Sequence, residues 1–231
     1  MIEITTSMVE FKANGSNAPG YLALPKGMNQ ARGVIVIQEW WGLDEHIKSV
    51  ARRIAGEGFA ALAPDLYRGK VAAEPDEARK LAMELNHDTA IKDMQGAVNY
   101  LVEHPMVVPK KIGVMGFCMG GGLAGQMAFR GKHVGAVAMF YGGRLRLTDE
   151  DAAAVSAPVL GIYGEQDQSI PLETIQGNEA MLQKHSKLHE FVIYPAAPHA
   201  FFNDTRPAYR QEAAEDAWRR TIAWFKKYLV G

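Results

Sequence analysis

Three residues in the second half of the chain could perform covalent catalysis. Cys118 lies in the segment GVMGFCMGGG, whose Gly-x-Cys-x-Gly pattern is typical of a sharp turn between a strand and a helix. Asp167 lies in GIYGEQDQSIP and His199 in YPAAPHAFF, each shortly after an apolar run of strand length. A thiol, a carboxylate and an imidazole in this order can supply a nucleophile, a base and the group that orients the base.

The glycines on either side of Cys118 are the residues that such a turn requires. The turn forces its central residue into a strained backbone conformation, and glycine at 116 and 120 removes the steric conflict. The first amides of the following helix would lie behind Cys118, where they favour a thiolate or an oxyanion. The sequence therefore predicts Cys118 as nucleophile, His199 as its base and Asp167 as the residue that fixes the histidine tautomer.

Each of these residues has another interpretation when it is considered alone. Buried cysteine is usually an inert apolar side chain, Asp167 could begin a turn before Ser169, and His199 could be a loop histidine with a structural partner. Their joint occurrence at three strand ends, in the order nucleophile, acid and histidine, favours the catalytic interpretation.

The elements that would position these residues alternate along the chain. Strands are predicted at residues 3–13, 21–25, 34–37, 59–63, 111–116, 134–140, 159–163 and 190–194. Helices are predicted at 44–56, shortly after Pro75, and at 87–103, 119–130, 172–184 and 208–229. This alternation predicts an α/β fold with a mostly parallel central sheet, helices on both faces and an antiparallel first hairpin. In such sheets the chemistry gathers at the carboxyl ends of the strands.

Composition narrows the class of protein. The chain has 231 residues, of which 48% are hydrophobic and 22% are charged, as is typical of a globular protein with one domain, here spanning 1–231. A formal net charge of −1 argues against nucleic acid as a partner, and no apolar run reaches the length of a membrane span. The segment 66–90 is less regular than the rest, and a lid could lie there.

The single cysteine and the seven histidines limit the other kinds of site. One cysteine cannot form an internal disulfide, and the histidines show no H-E-x-x-H pair. A lone thiol and an N-terminus without the pattern of a signal peptide favour a cytoplasmic protein. We expect no metal and no cofactor, a small-molecule substrate, no nucleic acid or membrane partner, and a monomer.

The chain resembles the dienelactone hydrolase (carboxymethylenebutenolidase) family, whose members are single-domain α/β-hydrolases with a cysteine nucleophile. The resemblance covers nearly the whole chain and rests on the segments VIVIQEWWGL, APDLYRG, GVMGFCMGGG, IYGEQDQSIP and APHAFFN. It implies the α/β-hydrolase fold and the hydrolysis of small lactones or activated esters. A cysteine suits such substrates, because a thiolate attacks activated acyl groups readily and their leaving groups depart easily.

The resemblance also implies roles for three residues near the turn. Glu39 would meet the resting Cys118 thiol and help to remove its proton once substrate arrives, which would protect the thiol from oxidation at other times. The backbone amides of Met119 and Trp40 would form the oxyanion hole. Without the resemblance, Glu39 would be read as a surface charge or as half of a salt bridge.

The family binds the carboxylate of its substrate through arginines, and here the resemblance is weaker. Arg79 aligns with one of these arginines, although it could equally be a solvated helix charge. The second arginine is replaced by Asn203, and the next arginine along the chain is Arg206. We therefore assign Arg79, Asn203 and Arg206 to the substrate-binding region.

Three functions compete on these observations. The preferred one is a hydrolase of small lactones or activated esters that forms an acyl-thioester on Cys118. The second keeps the fold and the same catalytic residues but acts as a broader carboxylesterase or thioesterase, which the asparagine at 203 favours. The third, of another class, is a non-catalytic protein in which Cys118 senses redox state or the site binds a ligand without turnover.

Overall fold

The apolar runs form one sheet of eight strands within residues 2–230, the part of the chain that the computed structural model describes. The strands are β1 (Ile4–Ala13), β2 (Ser16–Pro25), β3 (Arg32–Ile37), β4 (Phe59–Pro64), β5 (Ile112–Phe117), β6 (Val134–Phe140), β7 (Val159–Gly164) and β8 (His189–Tyr194). Their order is β1-β2-β4-β3-β5-β6-β7-β8. The pairs β1–β2 and β2–β4 are antiparallel and the other neighbours are parallel. The predicted mostly parallel sheet with an antiparallel first hairpin is confirmed. The first and last residues of the predicted domain, 1 and 231, lie outside the described residues.

Helices cover both faces of this sheet. They are α1 (Glu45–Gly56), α2 (Pro75–Glu84), α3 (His87–Glu103), α4 (Met119–Arg130), α5 (Asp149–Ala154), α6 (Leu172–Lys184) and α7 (Gln211–Tyr228). Successive residues of a strand point to opposite faces. On β5, Ile112 lies on the face that α3 covers near Gly33, and a side chain at Gly113 would meet Phe225 of α7 on the other face. Burial on both faces explains why β4, β5 and β7 are buried along their full length.

The first hairpin is tighter than the sequence analysis predicted. A loop covering residues 14–20 was predicted, but Asn14 and Gly15 alone close the turn, with φ angles of 48° and 78°. Ala13 therefore pairs with Ser16, and β2 begins five residues earlier than predicted. The dipeptide Asn-Gly is the strongest sequence signal for a two-residue hairpin turn, and the polar residues after it obscured the continuing strand.

One helix was not predicted, and another begins later than predicted. The six-residue α5 was missed because it is too short to show helical periodicity, although the Thr148 hydroxyl and the Asp151 carboxylate form a capping box at its start. Helix α7 begins at Gln211 rather than at 208. Its residue Trp218 is half-buried and stacks on Phe202 with ring centroids 6.1 Å apart. No helix within residues 2–230 is long and apolar enough to cross a membrane.

Candidate active site

Cys118 occupies the turn between β5 and α4 in a conformation that non-glycine residues rarely adopt. Its φ and ψ angles are 54° and −115°. A Cβ atom on Gly116 would lie 2.1 Å from the Gly120 carbonyl oxygen, and one on Gly120 would lie 2.3 Å from the Gln38 carbonyl oxygen. Both glycines are therefore required by close backbone approaches, and they hold the strained cysteine at the carboxyl end of β5.

The two residues assigned to the oxyanion hole lie beside the same cavity as the cysteine. Cys118 is the N-cap of α4, and Met119 is the first residue of that helix, where amides lack intrahelical acceptors. Trp40 follows β3, the strand next to β5, and Met119 and Trp40 both line the same cavity as Cys118. The two residues assigned to an oxyanion hole by resemblance are thus brought to one place.

His199 and Asp167 meet beside this cysteine. His199 Nδ1 lies 2.6 Å from Asp167 Oδ2. Asp167 follows β7 and is buried, whereas His199 follows β8 and is about one-third exposed to the cavity. Because β5, β7 and β8 are parallel, their carboxyl ends share one edge of the sheet and bring Cys118, Asp167 and His199 together.

Ser169 is a member of this cluster that the sequence analysis did not assign. Its hydroxyl donates to Asp167 Oδ1 at 2.6 Å, and its backbone N–H donates to the same oxygen at 2.9 Å. Ser169 Oγ also lies 3.2 Å from His199 Nδ1. An aspartate that accepts bonds from the residue two positions later forms an Asx turn, so the Asp-x-Ser spacing was the available signal.

The charges of Asp167 and His199 stabilise each other. Burial alone would raise the pKa of Asp167, but the hydrogen bonds from His199 and Ser169 outweigh it and lower the pKa. Burial would lower the pKa of His199, whereas the Asp167 carboxylate and Cys118 in its thiolate form favour the imidazolium and raise the pKa to about 10. The imidazolium of His199 is therefore favoured at neutral pH when Cys118 is ionised.

Glu39 lines the same cavity at the end of β3 and is buried. Asn203 donates to Glu39 Oε2 through Nδ2 at 2.8 Å, and the Tyr141 hydroxyl donates to Oε1 at 3.4 Å. Burial raises the pKa of Glu39, against the opposing effects of nearby donors and cations. A carboxyl group with a raised pKa is closer in proton affinity to a thiol, so it can exchange a proton with one.

Tyr141 is a second residue that the sequence analysis did not assign. It follows β6 directly, has a φ angle of 40°, and its ring centroid lies 5.0 Å from that of His199. Burial and the neighbouring Glu39 carboxylate raise the pKa of Tyr141, so it remains a hydroxyl donor. Its position at the carboxyl end of a parallel strand was a signal that could have identified it.

A cavity of about 1080 Å³ surrounds these side chains. Trp40 and Trp41 contribute apolar wall, and Arg144 and Arg206 contribute cations. The guanidinium carbon of Arg206 lies 3.9 Å from the centroid of the Trp41 ring. Arg144 is exposed and makes no hydrogen bond or ion pair with another residue of the described chain. The cavity thus offers an apolar surface and two positive charges to a small molecule.

Two residues assigned to substrate binding lie elsewhere. Arg79 is exposed on α2 and pairs with Asp76 at 3.4 Å, and it does not line the cavity. Asn203 is fully buried behind Glu39, and its Oδ1 accepts bonds from the Thr205 backbone N–H and hydroxyl. Its side chain is thus occupied by protein partners.

Among residues 2–230 no group of three or more histidine, cysteine, aspartate or glutamate side chains could hold a metal ion.

Comparison with known proteins finds a matching family, similar sequences and a similar solved structure. The model of the dienelactone hydrolase family matches residues 18–229 of this chain. Protein usf of Aquifex pyrophilus is 38% identical over 96% of this chain and 99% of its own, and the "Putative carboxymethylenebutenolidase" of Aquifex aeolicus is 33% identical over 96% and 98%. A dienelactone hydrolase-like promiscuous phosphotriesterase from metagenomic libraries is 25% identical, with a TM-score of 0.89 over 99% of each chain.

Proposed function

The chain belongs to the dienelactone hydrolase family, and from this premise we propose that it hydrolyses small lactones or activated esters through an acyl-thioester on Cys118. The observation that carries the proposal is the 2.6 Å contact between His199 Nδ1 and Asp167 Oδ2 in the cavity that Cys118 lines. This contact fixes the proton on Nδ1 and leaves Nε2 of His199 for proton transfer to or from the reacting groups.

The reaction begins with activation of the thiol. When substrate enters, the S–H bond of Cys118 breaks and its proton passes to the Glu39 carboxylate. His199, which the sequence predicted as the base for Cys118, acts instead as the acid and the base of the later steps. Burial of Glu39 supports this step, because the raised pKa of its carboxyl group makes it a stronger base. The thiolate then exists only with substrate present, which limits its oxidation.

Acylation follows as Cys118 Sγ bonds to the acyl carbon. The carbonyl oxygen becomes an oxyanion and accepts hydrogen bonds from the backbone N–H groups of Met119 and Trp40. The carbon–oxygen bond of the ester then breaks, and the leaving oxygen takes a proton from the His199 imidazolium. The high pKa of His199 supports its role as this acid.

Deacylation uses the histidine as a base. Neutral His199 takes a proton from water, the resulting hydroxide attacks the thioester carbon, and the carbon–sulfur bond breaks to release the acid. The Cys118 thiolate recovers its proton from Glu39, which returns the site to its starting state. Asp167 holds the imidazole in one orientation throughout.

The substrate class follows from the nucleophile and from the cavity. A thiolate is itself a good leaving group from a tetrahedral intermediate, so the enzyme needs an ester oxygen that departs easily, such as an enolate. Arg206 and Arg144 supply positive charge for a substrate carboxylate, in place of Arg79 and Asn203, whose side chains are directed elsewhere.

A broader carboxylesterase or thioesterase activity is the second candidate. It is favoured by the cavity of about 1080 Å³ with a wall of Trp40 and Trp41, which has room for larger apolar acyl groups. The buried asparagine at 203 also leaves the cavity without the second arginine that the family resemblance implies.

Location in the cytoplasm, a monomeric state and a single domain stay predictions from the sequence.

The test is hydrolysis of dienelactone and of p-nitrophenyl acetate by the wild type and by Cys118→Ala. Rapid lactone hydrolysis that the variant loses would support the preferred function, and a mass increase of one acyl group on Cys118 would identify the thioester. Hydrolysis of the acetate alone would favour the broader esterase. Turnover of neither substrate, or equal activity in the variant, would contradict both and favour a sensor or ligand-binding role for Cys118.

A further inference from the structure

The segment APDLYRG, residues 63–69, is one of the motifs on which the family resemblance rests, and the proposed reaction gives it no role. Asp65 organises its backbone. Its Oδ1 accepts a hydrogen bond from the Tyr67 N–H at 3.0 Å, and its Oδ2 accepts one from the Gly69 N–H at 2.6 Å. These two bonds fix the turn that follows β4 and with it the position of the Tyr67 backbone.

Two hydrogen bonds connect this part of the chain to the turn that carries Trp40, a residue assigned to the oxyanion hole. The Leu66 N–H donates to the side-chain oxygen of Gln38, which is fully buried, at 3.1 Å. The Ala72 N–H donates to the Trp41 carbonyl oxygen at 2.9 Å. Because one bond lies before Trp40 in the sequence and the other after it, the two together limit the directions in which its backbone N–H can point.

The Tyr67 side chain contacts both sides of the assigned oxyanion hole. Its hydroxyl donates to Met119 Sδ at 3.5 Å, and a Cβ atom on Gly42 would lie 3.3 Å from its Cδ2. Gly42 closes the turn that begins at Glu39, since its N–H donates to the Glu39 carbonyl oxygen at 3.4 Å. Tyr67 therefore reaches from the turn that carries Trp40 to the first residue of α4.

The Tyr67 hydroxyl is suited to holding a neighbour rather than to proton transfer. Tyr67 is 7% exposed and does not line the cavity. Burial raises the pKa of Tyr67, so its hydroxyl stays protonated near neutral pH and remains a donor. A thioether accepts only a weak hydrogen bond, so loss of this contact should cost the fold little while it frees the Met119 side chain.

We propose that Tyr67 is a positioning residue that holds the backbone amides of Met119 and Trp40 at the spacing that one oxyanion requires. The inference rests on the proposed function, which assigns these two amides to the oxyanion hole. Donors to an oxyanion act through preorganised geometry, and a small misplacement weakens them in the transition state. Tyr67 itself touches neither the substrate nor the reacting atoms, and it acts through Met119 and the turn at Gly42.

The first test removes the hydroxyl and leaves the ring against Gly42. In Tyr67→Phe we expect kcat for p-nitrophenyl acetate to fall about tenfold, with KM and the midpoint of urea unfolding unchanged, because only transition-state stabilisation is lost. Met119→Leu removes the sulfur acceptor and should give the same loss, and the double variant should lose no more than either single one. An unchanged kcat in Tyr67→Phe, or losses that add in the double variant, would overturn the proposal.

The second test measures the oxyanion hole without turnover, with trifluoroacetone as the probe. Cys118 Sγ bonds to the carbonyl carbon, the electron pair of the carbonyl double bond moves to oxygen, and the thiol proton passes to Glu39. Fluorine NMR gives the dissociation constant of this adduct, which should rise about tenfold in Tyr67→Phe. Alkylation of Cys118 by iodoacetamide creates no oxyanion, so its rate should stay within about twofold of the wild type. An equal loss in both measurements would mean that Tyr67 supports the thiol and not the amides.

A matched control is Tyr194→Phe, since Tyr194 is 8% exposed and its hydroxyl donates to Asp216 at 2.8 Å, outside the cavity lining. It should keep the wild-type kcat and adduct affinity. A wild type that hydrolyses no ester but forms the adduct would refute only the proposed reaction, and the adduct constants would still decide the role of Tyr67. Equal adduct affinity in the wild type and Tyr67→Phe would refute that role, and a wild type that forms no adduct and hydrolyses no ester would overturn both.

Discussion

Two histidine–aspartate pairs in this protein have similar contacts but different surroundings. In the cavity, His199 Nδ1 lies 2.6 Å from Asp167 Oδ2; on the outer surface of α5 and α6, His185 Nε2 lies 3.0 Å from Asp149 Oδ1. The Asp167 side chain is 1% exposed and the Asp149 side chain 57%. Similar contact distances therefore join a pair that is buried in the cavity and a pair that lies at the surface.

The partners of each aspartate explain the difference. Asp167 accepts two further bonds from Ser169, and its histidine faces the Cys118 sulfur. Asp149 Oδ1 contacts both Lys184 and His185, and the Asp149 and Lys184 side chains are mostly exposed, so water and salt weaken the interaction. The cavity pair thus differs from the surface pair in its burial, in the bonds from Ser169 and in the neighbouring Cys118 sulfur.

The comparison is tested most strongly by removing each histidine. We expect His199→Ala to lower kcat for ester hydrolysis by about 10⁴-fold, because it removes both the acid for the leaving group and the base for water. His185→Ala, the matched change at the surface, should leave kcat within about twofold of the wild type. Steady-state kinetics with p-nitrophenyl acetate measure both; a similar loss in the two variants would contradict the assignment.

Replacing one glycine in each of the same two regions should have the next largest effect, which is on the free energy of unfolding. A Cβ on Gly120 would lie 2.3 Å from a backbone oxygen, whereas one on Gly177 in α6 would have no atom within 4 Å. We expect Gly120→Ala to lower the free energy of unfolding by about 3 kcal/mol. Gly177→Ala should raise it by about 0.5–1 kcal/mol, since alanine favours a helix. Urea unfolding compares them, and a tolerated alanine at 120 would contradict the tight turn.

The aspartates provide a third contrast, in the pH profile. The pKa of His199 is raised to about 10, so an enzyme that needs its imidazolium should stay active until the pH approaches 10 and lose activity above it. Asp167→Asn removes a carboxylate that supports this charge, so the alkaline limb should move to lower pH and kcat should fall about 100-fold. Asp149→Asn should change neither the alkaline limb nor kcat. An alkaline limb that stays in place in Asp167→Asn would disprove the coupling.

The sequence predicted the positions that depend on backbone topology. Cys118, Asp167 and His199 each follow a strand, and parallel strands end at one edge of a sheet, so their proximity follows from the alternation of elements. The same rule could have identified Tyr141, which follows β6 directly. These residues are predictable because the backbone alone brings them together.

Side-chain direction in loops was much harder to predict. Asn203 was assigned to substrate binding from its spacing after His199, but the loop turns its amide inward to Glu39. Arg79 belongs to a helix whose Ala82 lines the cavity, yet its own side chain points to solvent and Asp76. Loop conformation and helix rotation decide these directions, and neither follows from hydrophobic periodicity.

Ser169 offers the smallest and most specific test of the cavity pair. Its hydroxyl donates to Asp167 Oδ1, but its backbone N–H donates to the same oxygen and remains after substitution. Ser169→Ala should therefore lose only about one hydrogen bond, worth ~1 kcal/mol, and lower kcat about fivefold with KM unchanged. Ser169→Thr keeps the hydroxyl and should restore kcat. A loss of 100-fold in Ser169→Ala would instead mean that the hydroxyl, rather than the backbone turn, holds Asp167 against His199.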